Sequence, residues 1–243
     1  MSIDRGAAGA YHGRPESEDT MAGSKHQERR AFLSRLGAGA VGAGVGAGIG
    51  PGTANAQEQP GRSGPWQPAR HAQDDWLDQL PGVHRFVVDT TSPAGFTTAL
   101  TYMNNYFAAS SSDYGLKDAD SAVVIVARHD STPFAYNDKM WEKYGKSLAE
   151  RGGFVDPGTK QPPVVNVYRS GLDGLLHRGV HLAVCQMATR RLAATIAKAG
   201  GPSPDAAYAE IVANLMPNAH MVPAGIVALN RAQERGYAFA HAV

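Results

Sequence analysis

The chain has 243 residues, a formal net charge of +1 and one cysteine, Cys185. A near-neutral chain without a basic stripe offers no electrostatic surface for nucleic acid, and a lone cysteine excludes an intramolecular disulfide. We therefore expect neither a nucleic-acid-binding protein nor a disulfide-stabilised scaffold.

The first 56 residues resemble a twin-arginine export signal. Arg29-Arg30-Ala31-Phe32-Leu33 is followed by a Gly/Ala-rich stretch and then by Ala54-Asn55-Ala56. An arginine pair, a weakly apolar segment and a small-residue cleavage site are typical of such signals in this order. Glu28 and Ser34 depart from the usual motif. We predict cleavage near Ala56 and a periplasmic or otherwise extracytoplasmic location; a cytoplasmic protein with a Gly/Ala-rich leader is the alternative.

The remainder of the chain is predicted to form a linker and one domain. Residues 38–50 are too short and glycine-rich for a membrane span, which needs about 20 apolar residues, so we expect no span in the mature chain. Residues 57–72 are rich in Pro, Gly and polar residues and predict a flexible linker. Residues 73–243 suit a single domain. Beyond residue 56, the chain carries 17 basic and 17 acidic side chains.

Five apolar runs predict strands, and they alternate with segments of helical period. The strands are predicted at 83–89, 121–127, 180–185, 221–222 and 237–240. The helices are predicted at 94–109, 137–148, 187–199, 205–216 and about 226–232, and residues 161–171 stay unassigned. Such alternation favours parallel pairing with helices on both faces. The predicted fold class is α/β: a single-domain, three-layer α/β/α fold with a mostly parallel sheet of about five strands.

Several of these segments together carry a family resemblance. They are residues 122–126 leading to Arg128 and His129, residues 179–185 ending at the cysteine, residues 222–227, and residues 232–239. On these segments, residues 82–242 resemble the DsrE/DsrF-like (YchN-like) sulfur-relay family, in a branch with export signals. The resemblance implies a homo-oligomer, a trimer or hexamer, and a sulfur-donor or acceptor protein as partner. The chain lacks the second cysteine of the best-known relay members, so any relay chemistry depends on one thiol and an outside partner.

Cys185 is the residue where we expect the chemistry. Ligands gather at the carboxyl ends of parallel strands, and Cys185 ends its predicted strand just before a helix. The positive end of that helix favours a thiolate or a persulfide anion. The family resemblance matches Cys185 to the carrier cysteine. A buried cysteine that packs as a small apolar residue is the other interpretation.

Two function hypotheses follow from these alternatives. In the first, Cys185 is a sulfane-sulfur carrier or a thiol that binds a sulfur compound, and the protein is a sulfurtransferase-like carrier. In the second, the protein is a non-catalytic, oligomeric module that binds small molecules or proteins, and Cys185 is structural.

Three polar residues after the second strand are candidates for the same site. His129 is a candidate catalytic proton shuttle, Arg128 a candidate for holding a sulfur oxyanion, and Asp130 a third candidate binding residue. A solvent-facing loop histidine without catalytic duty is the alternative for His129.

Residues further along the same connection are candidates for lining that cleft. They are Phe134, Asn137 and Trp141, together with Tyr136. Trp141 and Tyr144 also have the spacing of a core or subunit-interface pair, which is the alternative for them.

The sequence predicts neither a metal nor a nucleotide cofactor. It contains no His-x-His or Cys-x-x-Cys spacing, and His181 is expected to be a hydrogen-bonded core histidine. No Gly-x-Gly-x-x-Gly follows a strand in the domain.

Overall fold

The computed structural model of the chain describes residues 65–150 and 152–243. The predicted export signal, at residues 1–56, lies outside these residues. The described chain forms one five-stranded sheet with the order β4-β3-β2-β1-β5. Its strands are β1 (His84–Thr90), β2 (Ser121–Ala127), β3 (Val180–Cys185), β4 (Ala219–Val222) and β5 (Ala238–Ala242). All neighbouring strands pair in parallel, which confirms the predicted fold class.

Seven α-helices connect and flank these strands in the described residues. They are α1 (Trp76–Gln79), α2 (Pro93–Tyr114), α3 (Asp138–Glu150), α4 (Arg169–His177), α5 (Gln186–Lys198), α6 (Pro204–Val212) and α7 (Gly225–Gln233). None of them is long and apolar enough to cross a membrane.

The sheet is covered on both faces because strand residues alternate between two hydrophobic clusters. The larger cluster joins Val88, Ile125 and Leu182 to buried side chains of α2, α3, α4, α5 and α6. We call its side of the sheet the first face. The smaller cluster joins Val87 and Val124 to α1 and α7, and we call its side the second face. β2 is buried at every position, as expected of a strand covered on both sides.

The sequence located most elements, with errors at their ends. β2 and β3 begin and end as predicted. Helix α2 continues past the predicted end at residue 109 to Tyr114, where Gly115 adopts a left-handed conformation (φ 65°) and terminates it. The predicted helix at 205–216 ends earlier, at Val212, because Leu215 forms an antiparallel bridge with Tyr136.

Helix α4 was not predicted. It covers Arg169–His177 and overlaps the end of the unassigned segment. Gly171 and Gly174 lie inside it, and glycine disfavours a helix interior. The helix forms because Leu172, Leu175 and Leu176 are buried in the larger cluster, and this packing outweighs the poor local propensity.

Candidate functional site

The carboxyl edge of the sheet carries a row of four polar side chains on the second face. Cys185 ends β3, Arg128 follows β2, Asp89 lies near the end of β1, and His241 lies on β5. Asp89 is in register with His241, and Arg128 and Cys185 each follow the paired residues Ala127 and Val184. Neighbours in this row therefore lie on, or directly after, adjacent strands of the sheet. Adjacent strands are about 4.8 Å apart.

Asp89 and Arg128 form the centre of this row. The Arg128 Nε donates to Asp89 Oδ1 and its second nitrogen donates to Oδ2, both at 2.7 Å. The side chains are 3% and 18% exposed, respectively. The hydrogen bond to Asp89 raises the pKa of Arg128, burial partly offsets this rise, and the charge of Asp89 adds to it. His241 Nδ1 lies 3.0 Å from Asp89 Oδ2. The carboxylate thus fixes the guanidinium from one side.

Cys185 is the N-cap residue of α5. No side chain caps this helix start, so its first backbone amides remain available to an anion. The residue is 7% exposed. Arg128 follows Ala127, and Ala127 is paired with Val184, the residue before Cys185, so Arg128 and Cys185 lie side by side at this edge. Cys185 therefore lies at the N-terminal end of α5 and next to the residue that carries the fixed guanidinium.

A second helix begins beside Arg128. The N-cap of α7 is Ala224, whose side chain has no acceptor for the free amides. A Cβ added to Gly225 would lie 2.7 Å from the Arg128 Cβ and 2.9 Å from its Cδ. Only glycine lets the helix start approach the arginine this closely.

The hydroxyl groups of Thr189 and Tyr136 fix the start of α5. Thr189 Oγ1 donates to the carbonyl of Cys185 at 3.0 Å, and it also lies 2.9 Å from the Tyr136 hydroxyl. Burial raises the pKa of Tyr136, so its hydroxyl stays protonated. This buried pair holds the backbone of the cysteine in place.

His129 follows Arg128 directly in the sequence, but its backbone conformation differs from that of the row residues. Its φ is 55°, in the left-handed region, and the residue is exposed. The turn is held by Ser131, whose Oγ accepts from the Arg128 amide at 3.1 Å and donates to the Thr90 carbonyl at 2.9 Å. Asp130 is half-buried, and its amide donates to the Thr91 carbonyl at 3.0 Å. Catalysis by His129 and binding by Asp130 stay predictions.

The other predicted binding residues lie away from this row. Phe134 is 1% exposed and Trp141 is fully buried, and their rings stack in the larger cluster with centroids 5.5 Å apart. Asn137 precedes α3: its side-chain oxygen accepts from the Lys139 amide, and its side-chain amide donates to Asn214. The structure thus brings Arg128 and Cys185 together but gives these three residues packing and capping contacts.

Trp141 and Tyr144 also line a groove on the first face. The groove has a volume of about 930 Å³ and lies between α3, the end of α5 and residues 162–164. Three lysines and two glutamates line it as well: Lys143, Lys146, Lys198, Glu142 and Glu150. It lies at the opposite end of α5 from Cys185.

The sequence interpretation missed Asp89, His241 and Gly225. Asp89 had a local signal, because a carboxylate directly after the buried pair Val87 and Val88 needs a partner. His241 and Gly225 had no such signal, since their roles depend on the strand register and on the approach of α7.

The described residues contain no group of three or more His, Cys, Asp or Glu side chains that could hold a metal ion. The carboxyl edge of the sheet carries an arginine, a thiol and the N-terminal ends of α5 and α7. This set suits an anionic or sulfur-containing ligand.

Comparisons with known proteins show no family. No family model matches the chain, and no curated protein matches it. Among solved structures, the chain is similar to MTH1491 from Methanobacterium thermoautotrophicum, a protein of unknown function. The two sequences are 14% identical, and the match covers 65% of this chain and 98% of MTH1491, with a TM-score of 0.36.

Proposed function

We propose that this protein is an exported, DsrE-like sulfur-handling protein in which Cys185 carries sulfane sulfur as a persulfide. The observation that carries the proposal is the position of the thiol. Cys185 is the N-cap residue of α5 and lies beside Arg128 at the carboxyl edge of the sheet, and Asp89 fixes the orientation of Arg128. A helix start and a guanidinium both favour a thiolate, which is the reactive form of cysteine.

The proposed reaction is a thiol exchange on a sulfane donor. The Cys185 thiolate attacks the terminal sulfur of a polysulfide or of a partner's persulfide. A new S–S bond forms at Cys185, the S–S bond of the donor breaks, and the shortened donor leaves with the electron pair as an anion. The product persulfide is also an anion, so Arg128 and the α5 amides stabilise the site before and after transfer.

The buried ion pair supports this assignment for Arg128. A free arginine would lose side-chain entropy on binding an anion, whereas Asp89 already holds this one in a single orientation. Asp89 is therefore a positioning residue in the proposal, and Arg128 is the group that meets the anion.

The alternative function is a non-catalytic oligomeric module with a structural cysteine. One observation favours it: Cys185 is only 7% exposed. In this case the thiol packs like a small apolar residue and has no access to a donor.

Mass spectrometry of the intact native protein separates these functions. The protein is treated with polysulfide under native conditions, the reagent is removed, and the mass is measured beside that of Cys185→Ser. One added sulfur, about 32 Da, is expected in the parent protein and none in the variant. An unmodified parent protein would favour the structural role and would require the sulfur-carrier assignment to be withdrawn.

A homo-oligomer, a trimer or hexamer, is part of the same proposal. Exposed apolar side chains such as Phe239 on edge strand β5, 47% exposed, support a contact between copies. Sedimentation of the mature protein at micromolar concentration should give a mass that is a multiple of three chains. A pure monomer would contradict this part of the proposal.

A further inference from the structure

Two histidines that are distant in the sequence meet on the second face, away from Cys185. His181 lies on β3 and His220 on edge strand β4, where Ala183 is the residue paired with His220. His181 Nδ1 and His220 Nε2 are 2.9 Å apart, and both residues are half-buried. The two histidines are 39 positions apart in the sequence, which explains why no sequence spacing indicated the pair.

Helix α1 covers this pair with Trp76. The indole stacks on the His220 ring with centroids 3.9 Å apart and an interplanar angle of 9°. Buried Leu77 anchors α1, and its carbonyl accepts from the Tyr237 hydroxyl at 2.7 Å. Arg235 Nε donates to Asp78 at 3.0 Å. The tryptophan is therefore held in place as a built-in reporter beside the imidazoles.

The pair is neutral at physiological pH. Burial lowers the pKa of His181, and burial together with His181 lowers the pKa of His220 to about 4. A neutral imidazole has a free lone pair, which is the form that binds transition metals.

The spacing of the two nitrogens also suits a metal ion. Two imidazole nitrogens bound at about 2.05 Å and at right angles to each other are separated by about 2.9 Å. His181 Nδ1 and His220 Nε2 have this separation in the hydrogen bond that joins them. A bound ion would replace this hydrogen bond after rotation of the rings and a change of tautomer at one of them, with no net loss of protons.

We propose that His181 and His220 form a two-histidine site for a divalent transition metal, with Cu²⁺ as the preferred ion. Divalent copper prefers nitrogen ligands in a square-planar arrangement and binds such sites more tightly than the other first-row divalent ions. Solvent or an added ligand fills the remaining positions. The described residues contain no group of three or more His, Cys, Asp or Glu side chains that could hold a metal ion, and the proposed site has only two protein ligands.

Tryptophan fluorescence tests this site directly. Cu²⁺ is titrated into the full chain in a non-chelating buffer at pH 7.5, in a Cys185→Ser background so that the thiol neither binds nor reduces the ion. We expect one equivalent of Cu²⁺ to quench the emission of Trp76, which is the part of the emission that the Trp76→Phe variant lacks. A chelator should restore this emission. The His181→Gln and His220→Gln variants should each require an at least about tenfold higher Cu²⁺ concentration for the same quenching, since each variant lacks one of the two metal ligands.

His177→Gln is the matched control, because His177 is an exposed histidine on α4. It should leave the titration unchanged. Equal quenching in the parent, His181→Gln and His220→Gln proteins would overturn the proposal.

A second measurement applies even if the histidine variants fail to fold. The electron paramagnetic resonance spectrum of the Cys185→Ser protein with one equivalent of Cu²⁺ should show two imidazole nitrogens bound to the ion. Fewer than two bound imidazoles would overturn the proposal.

Discussion

Replacing Asp89 by Asn should destabilise the fold far more than the same change at an exposed ion pair of equal geometry. The Asp89–Arg128 pair has two 2.7 Å hydrogen bonds and side chains that are 3% and 18% exposed. Removing one partner of a buried pair costs about 3–5 kcal/mol. The partial exposure of Arg128 and the acceptor that Asn retains reduce this to about 2–3 kcal/mol.

Asp118→Asn is the matched control. Arg178 donates to Asp118 through Nε at 2.9 Å and through a second nitrogen at 2.8 Å, which is the same two-bond arrangement. The hydrogen bond from Arg178 lowers the pKa of Asp118. These side chains are 31% and 41% exposed, and an exposed pair contributes about 0–1 kcal/mol.

Urea denaturation followed by circular dichroism at pH 7 measures both variants. We expect Asp89→Asn to lower the free energy of unfolding by at least about 1.5 kcal/mol more than Asp118→Asn does. Equal losses in the two variants would refute the reasoning, because burial is the property in which the pairs differ most.

Three further predictions concern other parts of the chain. Gly225→Ala should lower the free energy of unfolding by about 1–3 kcal/mol, since the added Cβ would lie 2.7 Å from the Arg128 Cβ. Gly174→Ala should raise the free energy of unfolding by up to about 1 kcal/mol, because Gly174 lies inside α4 and a Cβ added there meets no atom within 4 Å. Urea denaturation of both variants checks the two signs. Burial lowers the pKa of His220 from 6.5 to about 4, so the folded protein binds fewer protons than the unfolded chain between these two pH values. The stability that is present above pH 6.5 should therefore be lost as the pH falls. The loss is about 1–2 kcal/mol after allowance for the half-exposed ring, and denaturation of His220→Gln at pH 7 and 4.5 should show a smaller loss. Replacing Arg29 and Arg30 by Lys should leave the precursor in the cytoplasm, and undiminished export in a cell-fractionation assay would contradict the twin-arginine assignment.

The sequence was sufficient for the fold because its strongest signals are local. The uninterrupted apolar run of β2 indicates a strand buried on both faces, and the alternation of strands and helices indicates parallel pairing. Helix α4 was missed because its two glycines weaken the local signal, while its leucines are stabilised by packing that sequence period does not report.

The candidate site was predicted only in part. Cys185 and Arg128 were found because each follows a recognisable strand. The partner of Arg128 was not found, since Asp89 is 39 residues away and the contact depends on the register of β1 and β2. The close approach of Gly225 and the meeting of His181 with His220 depend likewise on tertiary packing.

Alkylation of Cys185 in the native protein tests the central claim most directly. The rate of reaction with iodoacetamide at pH 7 is measured for the parent, for Arg128→Gln and for Arg190→Gln, an exposed arginine on α5. Circular dichroism confirms that each variant is folded. We expect the native parent to react, Arg128→Gln to react more slowly because the thiolate loses a neighbouring cation, and Arg190→Gln to match the parent. A thiol that reacts only after denaturation would contradict the account.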